Sequence, residues 1–361
     1  MLIIDAHLDL SWNALQWGRD LRRSVYTIRT QENTLSDKGR GLGTVAFPEM
    51  RQGRVALSIA TLIARSTGQP TPHIDFATPA QAYGVARGQL AYYRALEQQG
   101  DIRVISDCAG LDQHMADWIG WETSGAQGPT PPLGFVISME GADPILVPDQ
   151  LEDWRNAGLR LLGITHYGPG RYAGGTATEL GLTELGPPLL AEMERLGIVL
   201  DLTHCSDQAF WQALDHYSGP VIASHNNCRA LVPHQRQFSD DQIRAIIERD
   251  GVIGAALDAW MIKPAWVIGP RHIASNPSVT LSDVVDHIEH ICQLAGNSRH
   301  VALGTDLDGG FGREQSPADL DTIADLQKLP DLLAARGYAA ADIAEIMHGN
   351  WLRLLRRVWR N

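Results

Sequence analysis

Cysteine is scarce in this chain. Four residues in 361 (Cys108, Cys205, Cys228, Cys292) show no C-x-x-C spacing. A disulfide framework and a thiolate zinc site are both set aside, and the four read as reduced thiols in a cytoplasmic protein. Cys205 and Cys228 lie close to histidines and could support them, but small buried side chains are the favoured reading. Positive charge is also short, with 30 Lys and Arg against 42 Asp and Glu, a net charge of -12 and no basic run. That argues against nucleic acid as a partner and for a solvated acidic surface. No apolar run approaches the roughly 18 residues that cross a bilayer, and the start M-L-I-I-D-A-H has no charged leader. A soluble, unprocessed protein with no membrane partner is expected. Low-complexity segments, internal repeats and composition breaks are missing as well, so residues 1–361 are expected to form a single domain.

What is present is 44% hydrophobic residues, enough for a full core. They fall in short aliphatic runs at 2–6, 54–63, 134–139, 158–165, 198–203, 219–223, 252–257 and 300–305. Runs this short, bounded by Gly and Pro, read as buried parallel strands. Helical segments separate them, near 78–99, 106–118, 148–157, 184–196, 206–217, 239–249, 280–294, 317–336 and 340–358. Thr78-Pro79, Ser206 and Ser239 supply N-terminal signals for three of these helices. The run 101–105 is expected to be a side strand outside the main sheet. Residues 10–53, 167–183 and 258–278 are expected to be rim loops. Eight strand–helix units in one chain predict an α/β (β/α)₈ TIM barrel.

In that fold the active site lies at the C-terminal ends of the strands. Reading those ends in turn gives His7 and Asp9, Glu140, His166, His204, His225 and Asp306. His7 and Asp9 are two apart in extended backbone and address one point. Glu140 on its own is equally a site residue or a helix-capping acid. Four strands ending in His, with others ending in Asp or Glu, exceed what packing requires. By contrast His287 and His290 sit on a helix and read as surface or packing residues.

Imidazoles and carboxylates without thiolates suit Zn²⁺, Mn²⁺ or Fe²⁺. Six or seven ligand candidates exceed one tetrahedral ion, and two ions roughly 3.5–4 Å apart account for them better. Glu140 is the natural bridge, with His7 and Asp9 on one ion and His204 and His225 on the other. A water or hydroxide held between two cations becomes a nucleophile near neutral pH, and Asp306 can take and return its proton. This is an arrangement for hydrolysing an amide, ester or phosphoester.

The motifs I-D-A-H-L-D (4–9), S-M-E-G-A-D-P (138–144), L-R-L-L-G-I-T-H (159–166), L-D-L-T-H-C-S (200–206), I-A-S-H-N-N-C-R-A-L (222–231), L-G-T-D-L-D-G (303–309) and H-G-N-W-L-R (348–353) follow one another along the chain. Together they resemble the membrane (renal) dipeptidase family, peptidase family M19, among the amidohydrolase-type metal-dependent hydrolases. The resemblance implies a zinc dipeptidase with His7, Asp9 and Glu140 on one zinc and Glu140, His204 and His225 on the other. It implies that His166 polarises the scissile carbonyl and that Asp306 shuttles the proton. An arginine about eleven residues past the sixth-strand histidine grips the substrate's C-terminal carboxylate in this family, and counting from His225 reaches Arg236. Arg229 is the rival, with a surface salt bridge as its ordinary role. Leu8 stands where the family usually has Asn. A homodimer acting on a small dipeptide, possibly L-D or D-configured, is the further implication, with kinship to the soluble bacterial members. Another amidohydrolase reaction on the same site, on N-acyl amino acids, lactones or by deamination, is the alternative, and a non-catalytic metal-binding protein is a third. Tyr167, Tyr172 and Trp260 are pocket candidates, with loop packing as the alternative for each.

Overall fold

The computed structural model describes residues 1–68, 71–269, 271 and 273–359. Nine strands form in chain order: β1 (Ile3–Leu8), β2 (Val55–Ile63), β3 (Ile102–Val104), β4 (Leu133–Glu140), β5 (Leu159–Gly163), β6 (Val199–Asp201), β7 (Val221–Ile222), β8 (Ile253–Ala255) and β9 (Val301–Leu303). Eight of them hydrogen-bond side by side in the order β7-β6-β5-β4-β2-β1-β9-β8. Each ladder is parallel. A parallel bridge from Ala223 to Ile253 joins the two ends and closes the barrel. β3 pairs with β4 off this path, as the sequence suggested for that run.

Strands covered on both faces need apolar residues throughout. All nine residues of β2 and all eight of β4 are buried. The helices lie outside and begin where the sequence marked them. Thr78 and Ser239 form capping boxes with Gln81 and Gln242, and the Ser206 hydroxyl accepts from the Ala209 N–H. One close approach shapes the interior. A Cβ at Gly254 or Gly304 would lie 2.0 or 1.7 Å from the Ser224 carbonyl oxygen. Only glycine lets β8 and β9 press against the residue that precedes His225.

Two expectations need correcting. Residues 10–53 are not a plain loop, for they carry three short helices, Leu10–Leu15, Val25–Gln31 and Phe47–Gln52. Ser24 caps the second and Pro48 opens the third. Nor do residues 317–336 form one helix. Asp325 accepts from the N–H groups of Asp321 and Thr322, which starts a 3₁₀ segment at Ile323–Lys328. Pro330 then sits in the first turn of a separate helix, Leu329–Ala335, where its missing N–H costs nothing. The rim segment 258–278 contains a helical turn, Ala259–Ile262, while its residues 270 and 272 lie outside those described.

At the N-terminal end of the barrel, buried polar side chains hold the strands. Asn350 donates to the carbonyls of Ser298 (2.7 Å) and Val301 (2.8 Å), and the Trp351 indole donates to Leu303 (2.9 Å). His348 reaches the Leu2 carbonyl and His114 the Ala56 carbonyl. The H-G-N-W motif is therefore a strand clamp, remote from the site.

Candidate metal centre

The C-terminal ends of six strands converge on one point. Glu140 ends β4, and its two oxygens face different neighbours. Oε1 lies 3.1 Å from His204 Nε2, 3.4 Å from His225 Nε2 and 3.7 Å from His166 Nε2. Oε2 lies 3.6 Å from His7 Nε2. His7 Nε2 also lies 3.8 Å from Asp9 Oδ1 and 3.9 Å from Asp306 Oδ1. His204 Nε2 and His225 Nε2 are 3.1 Å apart. Trios whose ligand atoms lie within 4.8 Å of one another include His7, Glu140 and His225; Glu140, His166 and His204; and His7, Asp9 and Asp306. All seven strand-end residues predicted from sequence are thus gathered here.

Two of them sit in strained backbone. His204 (φ 68°) and Asp306 (φ 58°) adopt the left-handed region, as does Asp308 (φ 62°). Such strain persists only where surrounding bonds over-determine it. Those bonds come from two carboxylates inside apolar strands. Asp5 accepts from the His7 N–H and from both the N–H and hydroxyl of Thr305, tying β1 to the residues after β9. Asp201 accepts from the N–H groups of Thr203 and Ser224, tying β6 to β7. Asp308 accepts from Arg19 and from the N–H groups of Thr44 and Val45, which fixes the 10–53 segment over the rim. The sequence signal for Asp5 and Asp201 was present: a carboxylate in an apolar strand, two or three residues before a strand-end histidine.

The electrostatics are those of a cation site. Burial, and then the charge of Arg236, pushes the His7 imidazole down to about 3. Burial pushes the Asp9 carboxyl up to about 7. Glu140 and Asp306 are driven well above the ordinary carboxylate range, by burial first and then by the Asp9 charge. His204 and His225 are driven well below the ordinary imidazole range by burial, with Arg236 and neighbouring imidazoles adding to it. Among the described residues, His7 Nε2, Asp9 Oδ1 and Glu140 Oε1 are buried without a hydrogen-bond partner. Buried polar atoms left like this need a compensating charge. A divalent cation would reverse the carboxyl shifts and keep the imidazoles neutral, and nitrogen and oxygen donors suit zinc or a similar metal. The residues fit a metal.

Around the cluster lies a cavity of about 380 Å³ lined by Trp12, Trp17, Tyr167, Trp260, Asp258 and Arg236, among others. Arg236 is 2% exposed and hydrogen-bonds Asn226 Oδ1 and the His225 carbonyl, while its Nε has no partner among the described residues. Arg229 instead forms an ion pair with Asp207 at 2.6 Å, outside this cavity. Tyr172 does not reach the cavity; its hydroxyl donates to the Ile145 carbonyl. Asp258 was missed as a lining residue. It accepts from Gln315 and from the Trp260 indole, and burial pushes its carboxyl up to about 6. No helix among the described residues is long and apolar enough to cross a membrane.

Comparison with known proteins agrees with this architecture. The dipeptidase aclJ of Aspergillus oryzae is 27% identical over 345 residues, covering 92% of this chain and 74% of its own. The crystal structure of dipeptidase AC, a family M19 metallopeptidase, superposes with a TM-score of 0.78 at 25% identity, over 100% of this chain and 99% of that one. A metallopeptidase from Rhodobacter sphaeroides, solved with a phosphinate mimic of the dipeptide L-Ala-D-Ala, gives a TM-score of 0.77 at 24% identity over 99% of both chains, a likeness of fold. The family model for membrane dipeptidase matches residues 1–361, and the chain belongs to that family, peptidase family M19, as a metal-dependent dipeptidase.

Proposed function

We propose that this chain cleaves the peptide bond of a dipeptide at a centre of two zinc ions bridged by Glu140. One observation carries the reading: the two oxygens of Glu140 face different ligand sets, amid buried atoms that lack any other partner. His7, Asp9 and Glu140 would hold one ion, and Glu140, His204 and His225 the other. Glu140 Oε1, His204 Nε2 and His225 Nε2 lie within 3.4 Å of one another, while other close trios mix the two sets, so the division follows the family pattern. When bound, such ions acidify a water and polarise the substrate carbonyl.

The chain's own residues do the rest. Asp306 Oδ takes the proton of the attacking water and delivers it to the leaving amine nitrogen. His166 Nε2 donates to the carbonyl oxygen as negative charge develops there. Arg236 receives the C-terminal carboxylate, for which its planar fork is suited. Trp12, Trp17, Tyr167 and Trp260 wall the cavity beside these groups. Residues 1–361 would act as one catalytic domain, within a homodimer.

The test is turnover of L-L, L-D and D-D dipeptides by protein stripped of metal and reloaded with zinc, alongside N-acyl amino acids and lactones. Dipeptide cleavage that requires about two zinc ions per chain is expected. Two bound ions with turnover of only the N-acyl or lactone substrates would defeat the reading.

A further inference from the structure

The histidines of the centre differ in what stands behind them. His204 Nδ1 lies 3.0 Å from the Thr176 hydroxyl, whose own proton is directed to the His204 carbonyl. His225 Nδ1 lies 2.9 Å from the Ser224 hydroxyl, and His7 Nδ1 lies 3.5 Å from that of Thr61. A hydroxyl oxygen can accept a hydrogen bond from a protonated Nδ1, which leaves Nε2 with a free lone pair for a metal. His166 has no hydroxyl there. Its Nδ1 lies 3.2 Å from Arg65 Nη1. Guanidinium has donors only and does not lose its proton. Nδ1 of His166 must therefore accept, and the ring's single proton sits on Nε2.

Arg65 is built to stay in place. It follows β2 and is 9% exposed. Its main chain is held on both sides, Arg65 N–H to the Ile74 carbonyl (2.7 Å) and Phe76 N–H to the Arg65 carbonyl (2.8 Å). Asp75 Oδ2 lies 3.5 Å from its Nε and is itself anchored by the Thr67 hydroxyl. Position alone would admit His166 as a ligand beside Glu140 and His204. The proton on Nε2 forbids it.

We infer that Arg65 is a positioning residue that locks His166 in the Nε2–H tautomer. It bars His166 from the metal and presents it as a hydrogen-bond donor to the substrate's carbonyl oxygen. The second half rests on the dipeptidase reading above; the first half does not. No local sequence pattern announces this, because the pair is 101 residues apart.

The experiment has two arms. Protein labelled with ¹⁵N-histidine, metal-free and zinc-loaded, reports the tautomer of each ring, with His166→Asn assigning the signal. A bare Nδ1 and protonated Nε2 on His166 in both states are expected. A proton on Nδ1, or a His166 signal that moves as a ligand does on zinc loading, would overturn the inference. In the second arm Arg65→Met is expected to lower kcat on the order of 100-fold, the scale of one lost oxyanion donor, with KM changed only a few-fold. Arg65→Lys, again donor-only, is expected to restore most of kcat and the tautomer signal. Unchanged kcat and tautomer in Arg65→Met would refute the role. If the unsubstituted enzyme cleaves no dipeptide, the functional reading falls while the tautomer arm still decides the role of Arg65.

Discussion

The two ends of the barrel are both rich in buried polar side chains, and they use them oppositely. At the N-terminal end His114, His300, His348 and Asn350 each put a nitrogen on a main-chain carbonyl. A cavity of about 630 Å³ lies there, beside Gly197 and Pro220 just before β6 and β7. Its arginines are engaged: Arg155 with the Leu196 carbonyl, Arg249 with those of Tyr217 and Gly219, Arg357 with that of Asp250. At the C-terminal end the polar atoms point at one another and lack such partners. Size does not distinguish a binding site here, since the larger cavity is the structural one. The gathering of carboxylate and imidazole ligand atoms on one point does.

If that contrast is right, substitutions at the two ends should separate function from stability. The largest effect is expected from Glu140→Gln, which removes the shared carboxylate. Activity should fall on the order of 1000-fold or more, with zinc content lost. The metal-free protein should melt no lower than the unsubstituted one, because a crowded buried carboxyl has gone. A large drop in that Tm would mean Glu140 holds the fold. Next, Thr176→Val deletes the hydroxyl behind His204 at nearly constant volume. Zinc affinity measured by competition with a chelator should weaken roughly 10- to 100-fold, the range for an outer partner of a ligand. At the other end Asn350→Ala strands two buried carbonyls and should cost about 2 kcal/mol in denaturant unfolding, with kcat/KM unaltered at a permissive temperature. Altered kinetics there would blur the division between the ends.

The smallest effect sharpens the comparison through pH. Burial holds the His114 imidazole down to about 4, against 6.5 for an ordinary histidine. Below 6.5 the unfolded chain takes up a proton that the folded ring refuses. Stability is thus complete above that value and declines as the pH falls toward 4. Between pH 7 and 5 this one group should account for about 2 kcal/mol. His114→Gln should flatten that part of the stability profile, and an unchanged slope would show that the ring does not stay neutral.

Much of the site was legible because a barrel reports its active face through strand ends. His7, Glu140, His166, His204, His225 and Asp306 each follow an apolar run, so position in the chain carried the information. The supporting layer was less legible. Thr176 lies 28 residues from His204, and Thr61 lies 54 from His7, contacts made only by the closed barrel. The short helices within 10–53 have too few turns to display a period, so their sequence reads as loop. The Gly254 and Gly304 contact with Ser224 likewise depends on three strands meeting, which no local pattern encodes.

The Asp5–Thr305 hydrogen bonds join residues 300 apart. They give the centre a place in time as well as in space. A ribosome must add 300 residues after Asp5 before its partner is complete, and the candidate ligands at 7, 9, 140, 204 and 225 are made before Asp306 is. Any truncated product that stops short of Leu303 lacks the β1–β9 seam altogether. Closing of that seam is therefore a late event in synthesis, and metal uptake during refolding would report whether binding waits for it.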